Sequence, residues 1–104
     1  MRIVGIAVLV AVFAANAQAA RPDARTLLQK YDCYVCHADA ESKAAPAFAD
    51  VAAKFRGKAN ARAILTATVK NGRHGGGPWP MPPMPQVPDA DARLIVDYIL
   101  SLPR

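Results

Sequence analysis

Cys33-Tyr34-Val35-Cys36-His37 sets two thiols three residues apart and an imidazole directly after the second. No other cysteine occurs in the 104 residues. In an oxidising compartment a lone cysteine pair ordinarily closes a disulfide, but the adjacent histidine changes the reading. C-x-x-C-H is the attachment signature of a c-type haem. Each thiol can add to one vinyl group of the ring, and the histidine that follows is held at one ring face, where its imidazole can ligate iron. A thioredoxin-type pair needs a strand–helix context, and no strand pattern appears in this chain. A zinc site needs about four ligands, and His74 is the one histidine left over.

Upstream of the motif, Asp23 to about Tyr34 reads as a helix. Pro22 and Asp23 suit its start, and Leu27, Leu28 and Tyr31 share one face. Farther upstream, Met1-Arg2 is followed by the apolar run Ile3–Ala15 and then Ala17-Gln18-Ala19. This is the pattern of a secretory signal peptide, cut before Gln18 or before Ala20. An uncleaved anchor is the rival, but a spanning helix needs roughly 20 apolar residues. The expected division is therefore a cleaved signal peptide at 1–19 and one domain at 20–104. Loss of Arg2 with the leader lowers the formal charge of +5 by one. The remaining basic residues are scattered among acids, with no basic run and no aromatic ladder, so nucleic-acid binding has no support. A domain this small, with few aromatics, is of the size that commonly adds a cofactor or metal to its core.

Downstream, Asp39–Pro46 reads as a loop. Ala47–Phe55 reads as a short helix with Phe48, Val51, Ala52 and Phe55 on one side, ended by Gly57. Asn60 is placed to cap a helix from Ala61 to about Lys70, with Ile64, Leu65 and Val69 on its apolar face. Asn71-Gly72 stops it. Gly72–Pro88 follows, with Gly75, Gly76 and Gly77 and the prolines 78, 80, 82, 83, 85 and 88, a density that neither helix nor central strand survives. Asp89 is placed to cap a last helix, about Ala90–Leu102, in which Leu94, Tyr98 and Leu102 recur every four residues beside Ile95 and Ile99. The expected fold class is all-α, about four short helices. For the second axial position on iron the candidates are His74, Met81 and Met84. Thioether ligation raises the potential of a cytochrome c, and each methionine sits between two prolines, which lower the entropy lost on ordering the loop.

These stretches resemble the short bacterial class I cytochromes c across about residues 23–102. Besides Cys33–His37, the similar segments are Pro46-Ala47-Phe48 with Asp50–Phe55, Val69-Lys70-Asn71-Gly72, and Gly77-Pro78-Trp79-Pro80-Met81-Pro82-Pro83. The resemblance implies a class I fold around one covalent haem c, Met81 as the axial thioether, and Pro46 as the carbonyl that accepts from the proximal histidine. Ala45 stands where the family usually has glycine, Met84 where it often has asparagine, and glycines where a tryptophan often precedes the G-P pair. Trp79 is a candidate to replace that tryptophan near a propionate. The implied site is Cys33, Cys36, His37, Met81, Pro46 and Trp79. The implied function is a soluble, periplasmic, monomeric single-electron carrier, not an enzyme, working between larger redox proteins of a respiratory chain, with no membrane span after cleavage. Two alternatives stay open: a haem enzyme or gas- or peroxide-binding protein with a labile Met81, and a haem subunit of a larger respiratory complex.

Overall fold

The computed structural model describes residues 2–11, 23–75 and 79–103. Residues 2–11 carry no regular structure, and their large apolar side chains are exposed. The cleavage positions expected between Ala15 and Ala20 lie outside the described residues. No helix among the described residues is long and apolar enough to cross a membrane.

Five helices form, α1 (Ala24–Lys30), α2 (Cys33–Cys36), α3 (Phe48–Phe55), α4 (Ala61–Asn71) and α5 (Asp89–Ser101), and no β-strand forms among the described residues. The first differs from expectation. One helix from Asp23 to Tyr34 is in fact two, parted at Tyr31-Asp32. Asp32 takes a left-handed conformation, φ 61°, which Asp tolerates better than most residues. The break re-aims the single turn that carries both cysteines. Asp23 caps α1 through its carboxylate, which accepts from the Arg25 N–H at 3.3 Å. Two other expected caps are not made. Asn60 occupies the N-cap position of α4 without a side-chain bond, and Pro88 occupies that of α5. Asp89 instead lies in the first turn of α5, where its carboxylate meets Lys70 Nζ at 2.9 Å. That ammonium holds the Asp89 carboxyl below the usual aspartate range.

The last helix is the keystone. It packs against α1, α3 and α4, and Ala92, Ile95, Val96 and Ile99 are buried on its inner face. Leu94, Tyr98 and Leu102, the stripe with the cleanest four-residue repeat, are only half-buried. In α4 the buried line is Ala61, Leu65 and Val69, and Ile64 turns outward. Polar ties join the chain ends to the motif. The Tyr34 hydroxyl donates to Asp39 Oδ1 at 2.8 Å and the Tyr98 hydroxyl to Asp39 Oδ2 at 2.6 Å. Arg25 lies 3.7 Å from the same carboxylate. Burial, and then the bond to Asp39, push both phenols above their ordinary range. The Tyr31 hydroxyl donates to Asp91 at 2.7 Å, linking the end of α1 to the start of α5.

Candidate haem site

A cavity of about 850 Å³ opens between α2, α3, α4, α5 and the proline-rich loop. Its walls are the core itself: Leu28, Phe48, Leu65, Val69, Ile95 and Ile99 line it. Cys33, Cys36, His37, Pro46, Trp79 and Met81, all named from sequence, line this one cavity, and so does Met84. His74 is exposed and does not line it.

Each wall is built by local backbone bonds. His37 N–H donates to the Cys33 carbonyl at 2.9 Å and closes the α2 turn, so both thiols and the imidazole leave one tight unit. Both thiols are free: Cys33 is half-buried, and burial pushes its thiol up, while Cys36 is exposed. The next segment folds back on the motif, with Ala45 N–H donating to the Cys36 carbonyl at 3.0 Å and Phe48 N–H to the Ala38 carbonyl at 2.9 Å. This return places Pro46 beside His37. His37 Nδ1 lies 2.7 Å from the Pro46 carbonyl, and a carbonyl only accepts, so Nδ1 carries the proton and Nε2 keeps its lone pair. The imidazole stacks on Phe48, with centroids 4.5 Å apart and planes at 18°. Burial lowers the basicity of the ring, and the bond to Pro46 opposes that. The chain has thus prepared a neutral, oriented imidazole in an apolar wall, the form in which histidine ligates metal.

The loop that carries the methionines is held by main chain. Arg73 and Met81 form an isolated antiparallel bridge: Arg73 N–H donates to the Met81 carbonyl at 3.0 Å, and Met81 N–H to the Arg73 carbonyl at 2.8 Å. Met84 N–H donates to the carbonyls of Val69 and Lys70 at 3.2 and 3.1 Å, binding the loop to the open end of α4. Lys70 Nζ donates to the Val87 carbonyl at 2.8 Å. Gly72 stops α4 with φ 75° and lies against the same loop. A Cβ there would sit 2.5 Å from the Met81 carbonyl oxygen and 2.8 Å from Pro83 N. Gly72→Ala is therefore expected to cost about 2 kcal/mol or more, from the left-handed backbone and the overlap together. Denaturant unfolding of the holoprotein measures it. An alanine variant as stable as wild type would contradict the close approach.

The residues present fit a haem. The apolar volume takes a flat hydrophobic ring, two thiols stand at one wall, a deprotonated imidazole nitrogen is prepared, and two soft thioethers face the same space. Sequence reasoning did not find Arg73, Lys30 and Lys54, which also line the cavity. They belong to no motif, and only the loop's return brings Arg73 there.

Comparison with known proteins agrees with this geometry. A cytochrome c family model matches residues 22–103. The chain is similar to cytochrome c-551 of Allochromatium vinosum, 47% identical over 79 residues covering 73% of this chain and 82% of the relative. It is 42% identical to cytochrome c-551 of Pseudomonas aeruginosa over 80 residues, 76% of each. The crystal structure of Nitrosomonas europaea cytochrome c552 superposes with a TM-score of 0.72 at 39% identity, covering 75% of this chain and 98% of that one. The helical fold, the haem-sized cavity and these relatives together make the chain a small class I member of the cytochrome c family, an electron-transfer protein whose cofactor is a covalently attached c-type haem.

Proposed function

We propose that the mature chain, residues 20–104 after removal of a signal peptide at 1–19, is a monomeric periplasmic shuttle that passes single electrons between larger respiratory redox proteins. Cys33 and Cys36 hold the haem through thioether bonds. His37 and Met81 are the axial ligands, the Pro46 carbonyl fixes the His37 tautomer, and Trp79 covers the lip of the cavity. The bound haem supplies a one-electron Fe(III)/Fe(II) couple. The protein residues exclude water from it, hold both axial positions and keep the iron from binding substrate.

The observation that carries this reading is the 2.7 Å contact of His37 Nδ1 with Pro46, which leaves Nε2 available in a cavity that Met81 also lines. With a ligand prepared on each of two separate chain segments, the arrangement suits a carrier better than an open catalytic iron. The test is to express the gene in a host able to attach haem c and recover the protein by osmotic shock. The expected product is a shortened chain with a c-type haemochrome spectrum, a Met–Fe(III) near-infrared band at neutral pH, and no rapid carbon monoxide binding when reduced. A ferrous protein that binds carbon monoxide at once, without the band, would overturn the carrier reading in favour of a ligand-binding haem protein.

A further inference from the structure

The cavity is apolar, yet a class I haem brings two carboxylates to it, and an unpaired carboxylate in such surroundings is costly. Three cations line the cavity: Lys30, Lys54 and Arg73, with the acids Asp32 and Asp50. The two lysines sit on helical segments beside those acids in sequence, and each ammonium lies over a ring, Lys30 over Tyr31 at 5.2 Å and Lys54 over Phe55 at 5.8 Å. Arg73 differs. Its guanidinium makes no ion pair or hydrogen bond with the described residues. From Asn71 to Pro88 the sequence contains no acidic residue to pair with it. Its backbone is fixed by the two-way bridge to Met81, so the base of the side chain is held at the cavity wall.

We propose that Arg73 is the residue of this chain that binds a haem propionate. The proposal rests on the haem reading above. A guanidinium is permanently charged and presents a planar fork of donors that matches a carboxylate in two parallel bonds, which an ammonium cannot do. Paired this way, the propionate stays ionised to lower pH. The charge of the iron and the charge of the propionate are then coupled, because the reduced haem favours the protonated acid and the oxidised haem the ionised one. The midpoint potential therefore falls with pH over the interval where the propionate titrates, and Arg73 sets where that interval lies.

The experiment is a pH titration of the midpoint potential for wild-type holoprotein, Arg73→Gln, Arg73→Lys and Lys54→Gln. The bridge to Met81 uses main-chain atoms, so Arg73→Gln can keep it. In Arg73→Gln the sloping interval is expected to move about one pH unit upward, a tenfold gain in proton affinity. Arg73→Lys should move it less, in the same direction. Lys54→Gln removes an equal charge from the cavity wall and should leave the interval where it is. If Arg73→Gln loses the near-infrared band, the result is read from Arg73→Lys. An interval unchanged in the readable Arg73 variant, or moved as far by Lys54→Gln, overturns the proposal. The haem reading fails separately, and visibly, if wild-type protein carries no c-type haemochrome.

Discussion

Replacing Cys33 and Cys36 together by alanine is expected to release the whole of the haem into acid acetone, whereas the wild-type protein keeps it through the extraction. The two thiols leave one turn, α2, and line one cavity, so each can form one thioether bond to the same ring. Either single variant should retain a haem on the remaining thioether, less firmly. The loss reaches the fold as well. The cavity of about 850 Å³ is walled by the same side chains that form the core. At roughly 20 cal/mol per Å³, a dry void of that size would cost more than the ~5–15 kcal/mol by which a whole domain is stable. Water entering from the lip reduces the figure but leaves apolar walls wet. The haem-free chain is therefore expected to show no cooperative melt by circular dichroism. Wild-type protein that surrenders its haem to acid acetone, or an apoprotein that melts sharply, would count against this account.

Met81→Ala is expected to abolish the Met–Fe(III) near-infrared band and open the ferrous iron to carbon monoxide. It should also lower the reduction potential by on the order of 0.1 V or more, within the about 0.8 V that axial ligands span. Met84→Ala should keep the band. Both thioethers are half-buried and line the cavity, so exposure does not separate them. The loop does so in part. The Met81 backbone closes the hairpin against Arg73, while the Met84 backbone is committed to the end of α4. The reverse outcome, in which Met84→Ala removes the band and Met81→Ala spares it, would falsify the assignment.

Much of this architecture is legible in the sequence because it depends on local chemistry. C-x-x-C-H, the stops at Gly57 and Gly72, and the proline-rich loop all declare themselves within a few residues. What stays hidden depends on packing at a distance. Helical periodicity runs unbroken through Tyr31-Asp32, and nothing local says that Asp32 will turn left-handed to re-aim the cysteines. In α5 two apolar stripes interleave. Composition favours Leu94, Tyr98 and Leu102, but α1, α3 and α4 surround the helix from the side of Ala92, Ile95, Val96 and Ile99. Tyr98 then spends its hydroxyl on Asp39, 59 positions away, a partnership that no short-range pattern records. Arg73 is hidden in the same way, since its place at the cavity follows from a bridge across a loop of glycine and proline.

The bond between Tyr31 and Asp91, 60 residues apart, has a meaning in time. A chain is made and moved from its first residue to its last. The cysteines come out early, and the helix that completes their enclosure, with Ile95, Val96 and Ile99 on the cavity wall, comes out at the very end. Until then the two thiols belong to a flexible strip, open to any machinery that must reach them. Once residue 99 arrives, the interval for that access begins to close.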